Sequence, residues 1–340
     1  MSKTMQQAVD HMMGFFQSNA LNTALSLKLF DPLGVEPTPL NTLAEKLSLP
    51  VEPLDRLLIA LTAMGYLEKC EEGVVLPEVH RPYLVSDQPL WLGWLARHIN
   101  TFLSPLWSNL DAAVQEGQHQ RRAVFGDDRS WFDILYQNPE DVADFQEFLG
   151  KFAQPFIEGF VKDYDFSRHR RFLDIGSGIG TLPIAVAQQY PLLDIAICEL
   201  PQASAFLRDK LGDQGYGERI LVVEGNVIQG ELPNEQYDLI HLGWMLHDYD
   251  PGTQLSILRN IYESMPVGGQ FIASETPLNA NKSGPEFTAL LSLNMLVSTD
   301  GGIESSVDEY MQRFIEVGFE DVGVLEISGP RTLITGKKTR

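Results

Sequence analysis

Residues 243–250 read Gly-Trp-Met-Leu-His-Asp-Tyr-Asp, a short apolar run that ends on a histidine beside an aspartate. An imidazole titrates near neutral pH, so His247 has three available chemistries. It can move a proton, hold a metal ion, or close a strand with its hydrogen bonds satisfied locally. A metal role needs further ligands at suitable spacing. The seven histidines stand at 11, 80, 98, 119, 169, 241 and 247, so none follows His247. His241, read as lying on the same strand, would be about 20 Å away at strand rise. Cys70 and Cys198 are far apart and show no ligand spacing. No metal is therefore expected.

A second group of residues points to a nucleoside-bearing cofactor. Leu-Asp-Ile-Gly-Ser-Gly-Ile-Gly-Thr places Gly176, Gly178 and Gly180 directly after a strand and before a helix, with Asp174 two residues ahead. Glycines there allow a tight turn and close approach of backbone to ligand. The dinucleotide fingerprint fails, because its sixth position is Thr181. Glu199 closes the next strand about 20 residues on, where a carboxylate can accept from both ribose hydroxyls. Asn226 follows the third strand, where its amide can both donate to and accept from an adenine edge. Leu200 and Val227 adjoin these two, and Gly243 and Trp244 end the fourth strand. Three such features at successive strand ends are far more specific than any one alone.

The elements that must position these groups follow from periodicity. Met5, Val9, Met12, Phe16, Ala20, Ala24 and Leu27 give a first helix one apolar face, either core or a dimer surface. Two short helices follow, around Leu40–Leu47 and Leu54–Met64, the second stopped at Gly65. A hairpin about Glu71-Glu72-Gly73 completes a winged helix. Residues 88–165 read as helical and aromatic-rich, and some of those rings are expected to wall a ligand pocket. From residue 171 strands and helices alternate, with two closing strands expected as an antiparallel pair. The fold class expected is α/β, a Rossmann-like, mostly parallel sheet with an antiparallel final strand, preceded by a mainly helical domain. The expected boundaries are 1–105 for the winged-helix-like domain, 106–165 for a helical connector contributing to the substrate pocket, and 166–340 for the cofactor-binding catalytic domain.

Charge narrows the choice of partner. The formal net charge is −21, and residues 38–72 carry three basic against six acidic side chains. Nucleic-acid binding draws on clustered Lys and Arg, so neither the chain nor its winged helix suits it. No window approaches the roughly 18 apolar residues of a membrane span. The first residues lack the apolar core of a secretory signal. With two cysteines read as reduced thiols, the expectation is a cytoplasmic protein acting on a small molecule, with no nucleic-acid or membrane partner.

The second half resembles the class I S-adenosylmethionine-dependent methyltransferases. The whole chain is similar to their small-molecule O-methyltransferase branch, the caffeic acid and hydroxyindole type with its bacterial relatives. Leu-Asp-Ile-Gly-Ser-Gly-Ile-Gly, Glu-Leu-Pro-Gln-Ala, Gly-Trp-Met-Leu-His-Asp-Tyr, Met-Pro-Val-Gly-Gly-Gln-Phe-Ile-Ala-Ser-Glu and Met-Leu-Val-Ser-Thr-Asp-Gly-Gly-Ile-Glu carry the likeness. It implies S-adenosyl-L-methionine as donor, S-adenosyl-L-homocysteine as product, and a homodimer joined through the N-terminal domain. It assigns His247 as general base, assisted by Glu275 and Glu304. A phenol with pKa near 10 is a poor nucleophile at neutral pH, and an imidazole steadied by carboxylates can take its proton. Expected substrate contacts are Asp248, Trp107, Phe160, Met295 and Thr299.

Three positions depart from the family pattern. Asn226 stands where relatives often have aspartate. Gly243 stands where plant members have lysine. Thr299 replaces a plant pocket asparagine, which argues against phenylpropanoid substrates. The activity expected is methyl transfer to a hydroxyl of a small aromatic or polycyclic, secondary-metabolite-type compound. The alternatives are carbon or nitrogen methylation on the same scaffold, or a methyltransferase-like protein using the donor for another purpose.

Overall fold

The computed structural model describes residues 3–233 and 236–340. The chain divides into two compact units, Met1–Ser104 and Pro105–Arg340. Residues 106–165, expected as a separate connector, belong to the same unit as the sheet.

In the first unit a long helix, Lys3–Ser26, precedes the short helices Leu40–Leu47 and Val51–Ala63. Pro39 and Pro50, both extended, stand directly before the short helices and fix where each begins. Gly65 takes a left-handed φ of 86° just past the second, as the sequence predicts. The hairpin β1 (Glu68–Lys69) and β2 (Val74–Val75) turns back against Thr38. Leu43, Leu54, Leu58, Leu61, Leu67 and Val74 fill the core beneath it. Of the long helix, Ala24 and Leu25 join that core, whereas Met5, Met12, Phe15 and Phe16 are each more than half exposed. The apolar face read from the sequence is therefore mostly not core within the chain.

The second unit is built on a seven-stranded sheet. Its strands are β3 (Arg171–Ile175), β4 (Asp194–Glu199), β5 (Ile220–Glu224), β6 (Leu239–Gly243), β7 (Gln270–Glu275), β8 (Glu320–Leu325) and β9 (Thr332–Lys337). They lie in the order β5-β4-β3-β6-β7-β9-β8, parallel except for β9, which runs antiparallel to both neighbours. Side chains alternate between the faces, so Phe172, Ile195, Leu239 and Ile272 meet Phe156 and Phe160 on one side. Leu173, Ala196, Ile240 and Phe271 meet Ile257, Leu258 and Phe314 on the other. The strand order reverses between β3 and β6, which opens a crevice beyond the C-terminal ends of the parallel strands. Asp174, Glu199, Asn226, His247 and Glu275 all fall at or just past those ends. Among the described residues no helix is long and apolar enough to cross a membrane.

Candidate active site

Gly176, Gly178 and Gly180 adopt φ values of 67°, 64° and 76°, a region that side chains with a Cβ rarely enter. A Cβ on Gly176 would strike Met245 Cε at 2.3 Å, and one on Gly178 would strike Gln146 Oε1 at 2.8 Å. The loop leads into a cavity of about 400 Å³ over the ends of β3, β4 and β5. Glu199 stands in its wall, buried, with one carboxylate oxygen accepting from the Leu200 N–H at 2.8 Å. Burial pushes its pKa up to about 7, the response of a carboxyl that lacks solvent. Asn226 lies at the next strand end. Its side-chain carbonyl accepts from the Ile228 N–H at 3.0 Å, capping the turn Val227–Gln229. That leaves its amide NH2 and the second lone pair of its carbonyl oxygen for a ligand. Around the loop, the buried Ser177 Oγ, Thr181 Oγ1 and Gln146 Oε1 have no hydrogen-bond partner among the described residues.

A cluster of titratable side chains lies at the ends of β6 and β7. The chain leaves β6 at Trp244, whose φ of 52° turns it into the short helix Leu246–Asp248. His241 and His247 are therefore not on one strand. His241 spans β3 to β7, with Nδ1 2.6 Å from Asp174 Oδ1 and Nε2 2.9 Å from Ser274 Oγ. His247, 4% exposed, has Nδ1 3.0 Å from Glu304 Oε1 and 3.2 Å from Glu275 Oε2. Glu275 is anchored from behind, its Oε1 accepting from the Met245 and Leu246 N–H groups at 3.1 and 2.9 Å. Glu304 reaches the imidazole because Gly302 lies against the backbone carbonyls of His247 and Asp248. A Cβ there would come within 2.7 Å of both.

Asp248 Oδ1 stands 3.5 Å from His247 Nε2, and Asp248 is the member of this cluster that lines the cavity. Burial alone would lower the His247 pKa, but Asp248, Glu304 and Glu275 together raise it well above the ordinary value. Burial lifts Asp248 to about 7 and raises Glu304, both against the opposing pull of His247. The cluster thus holds a buried imidazole of raised proton affinity, linked to the cavity wall through Asp248 beside its Nε2.

Of the expected ligand contacts, Gly176, Glu199, Leu200, Asn226, Val227, Asp248 and Thr299 line the cavity. Others serve it from behind or stand elsewhere. Asp174 is committed to His241. Gly178 and Gly180 pack on Gln146 and Leu211, and Gly243 has space for no side chain between His241 and Ser274. Trp107 donates its ring N–H to Asn294 Oδ1 at 2.8 Å, and Met295 is buried, its carbonyl accepting from Thr299 Oγ1. Phe160 is a correction. It is fully buried among Tyr164, Phe166 and His241 and belongs to the core. The aromatic wall comes instead from Trp131, Phe132 and Tyr136, with Met245 beside them. Residues 88–165 had been marked as a source of such rings without distinguishing these. Among the described residues no three His, Cys, Asp or Glu side chains are grouped to hold a metal ion.

The O-methyltransferase domain model matches residues 107–320, and the O-methyltransferase dimerisation domain model matches residues 9–84. The chain belongs to the O-methyltransferase family, as the resemblance implied. It is 68% identical to the S-adenosyl-L-methionine-dependent methyl transferase PigF of Serratia sp. over 339 residues, covering 100% of this chain and 97% of that protein. It is 28% identical to the tetracenomycin polyketide synthesis 8-O-methyl transferase TcmO of Streptomyces glaucescens, covering 96% and 95% of the two. The solved structure of PigF with SAH superposes with a TM-score of 0.96 at 67% identity, over 99% of this chain and 100% of that one. Human N-acetylserotonin methyltransferase in complex with SAM shares the fold, with a TM-score of 0.90 at 24% identity over 100% and 99% of the two chains.

Proposed function

We propose that this O-methyltransferase moves a methyl group to a hydroxyl of a small aromatic or polycyclic acceptor, with His247 as proton acceptor. Its donor is S-adenosyl-L-methionine, and the residues present fit that molecule. The cavity of about 400 Å³ is of the size that holds a nucleoside-bearing ligand. Glu199 would take the ribose hydroxyls, the Asn226 amide the adenine, and the glycine loop the sulfur-bearing chain. The unpaired Ser177 Oγ and Gln146 Oε1 are polar atoms that such a ligand would complete.

When bound, the donor supplies an electrophilic sulfonium methyl and a positive charge. His247 next to such a charge titrates lower than in the empty site, which frees Nε2 to accept. Glu304 and Glu275 hold Nδ1, fix the tautomer and stabilise the imidazolium once it forms. The acceptor hydroxyl would give its proton to Nε2 as its oxygen takes the methyl carbon, the methyl–sulfur bond breaking to leave S-adenosyl-L-homocysteine. Asp248, at the cavity wall beside Nε2, orients that hydroxyl. Trp131, Phe132 and Tyr136 give an aromatic acceptor apolar faces to lie against. The observation that carries this reading is a buried imidazole whose Nδ1 lies 3.0 and 3.2 Å from two buried carboxylates, next to the cavity-lining Asp248.

The assembly proposed is a homodimer through the N-terminal unit. Met5, Met12, Phe15 and Phe16 offer an apolar helix face that a second copy would cover. A cytoplasmic enzyme fits the two free thiols, Cys70 and Cys198. A panel of phenols and polyketide-type aromatics incubated with methyl-labelled donor tests the activity by mass spectrometry. The expected result is a labelled methyl ether from the unmodified protein and none from His247→Ala. Label found only on carbon or nitrogen would overturn the reading.

A further inference from the structure

Arg331 immediately precedes β9 and is only 9% exposed. Its guanidinium carbon lies 4.8 Å from the Phe156 ring centroid and 4.9 Å from that of Trp244. Among the described residues it has no hydrogen bond and no ion pair, although it carries five N–H donors. Buried arginines are ordinarily paired with a carboxylate, because an unpaired charge out of water is costly. The two acids whose charges reach it, Glu275 and Asp174, make no ion pair with it and are bonded elsewhere. Asp174 is committed to His241, while Glu275 is shared between the Met245 and Leu246 N–H groups and His247. Their charges nonetheless favour the protonated form, and burial lowers the Arg331 pKa only to about 10, so it stays cationic at neutral pH.

Its position explains what such a group is for. The pairing of Thr332 with Glu275 sets Arg331 at the C-terminal rim of the sheet. The Trp244 N–H bonded to Ser274 carbonyl places the indole at the same rim. A nucleoside seated over β4 and β5 directs its other end across β3 toward β6. From β5 to β6 is three strand spacings, roughly 14 Å, which brings the far end of an amino-acid-bearing nucleoside to Trp244 and Arg331. That end carries a carboxylate, the partner that a guanidinium fork fits best.

We propose that Arg331, held between Phe156 and Trp244, is the carboxylate-recognising residue for the amino-acid tail of the methyl donor. The assignment rests on the reading of the donor given above. It makes Arg331 a selector for nucleosides that keep that tail.

Calorimetry with two probes tests it: S-adenosylhomocysteine, which has the tail, and 5′-methylthioadenosine, which lacks it. The unmodified protein should prefer the first by tenfold or more. Arg331→Met leaves an apolar chain of similar length between the rings. It should weaken S-adenosylhomocysteine on the order of 30-fold and change 5′-methylthioadenosine by less than about twofold. Arg331→Lys keeps the charge without the fork and should show an intermediate loss, which preserves the test should the Met variant not fold. The proposal is overturned if both probes weaken by the same factor, since that reports structural damage. It is equally overturned if the variants bind S-adenosylhomocysteine like the parent. If the unmodified protein itself bound no S-adenosylhomocysteine, the donor reading would fail rather than this one.

Discussion

On the β4–β5 side of the glycine loop, the rim of the sheet is made by residues that end their own strands. Glu199 and Asn226 arrive there because β4 and β5 stop there, and each is held by a backbone N–H one or two residues away. On the β6–β7 side the site is gathered from distant places. His247, Glu275 and Glu304 come from a turn, a strand end and a loop, and all three are nearly or fully buried. The first half is shaped by local backbone geometry. The second works by charge, placing three carboxyls around one imidazole in a dry setting. Damage to the first should therefore appear as lost affinity, and damage to the second as lost rate or an altered pH profile.

The largest effect expected is on rate alone. His247→Ala removes the proposed proton acceptor and should lower kcat about 10³-fold, with S-adenosylhomocysteine affinity within twofold of the parent by calorimetry. The mirror experiment is Gly176→Val. It forces a Cβ at φ 67° into Met245; a loop that relaxes from that strain must be restored on binding, at roughly five- to thirtyfold in S-adenosylhomocysteine affinity for about 1–2 kcal/mol. A variant of either kind that lost rate and affinity in equal measure would break the division between the two halves.

Glu304→Gln sharpens it. Glu304 helps to raise the His247 pKa, and in the mechanism proposed the reactive form is the unprotonated imidazole. Activity should therefore rise with pH through that raised pKa. Removing one carboxylate should move this acid limb to lower pH by about one pH unit, while the plateau falls about tenfold. A limb that stayed in place would show that His247 is not the group titrating.

The smallest expected effect is on stability. Asp248 has its pKa raised by burial from 3.8 to about 7. A carboxyl raised on folding costs nothing below its unfolded pKa, and the cost grows between about pH 4 and pH 7. Above pH 7 the cost is complete. Asp248→Asn should accordingly raise the melting temperature by a few degrees at pH 8, with the gain shrinking toward pH 5, in thermal melts followed by circular dichroism.

The same contrast governs what could be read before the structure. The helix Val307–Val317 is bounded by local signals, a capping box at Ser306 and Glu309 and a glycine at 318. The glycine loop, Glu199 and Asn226 were legible for the same reason: their meaning lies in spacing from a strand. Other features depend on packing that spacing does not encode. Phe160 and Phe132 both sit in an aromatic helical stretch, and nothing in their periodicity says that one enters the core and the other faces the cavity. The turn at Trp244 was hidden because a bulky residue rarely adopts positive φ, so His241 and His247 were placed on one strand. Arg331 gave no signal, since its aromatic neighbours at 156 and 244 are far from it in sequence.

The central claim is that His247 removes the proton of the acceptor hydroxyl during methyl transfer. Single-turnover rates at pH 7.5 for acceptors of graded hydroxyl pKa test it most directly. For a phenol of pKa near 10, His247→Ala should be slower by about 10³-fold, and the defect should shrink to a few-fold for an acceptor already ionised at that pH. A defect of the same size across the whole series would contradict the account, because a lost base cannot matter to a substrate that has no proton left to give.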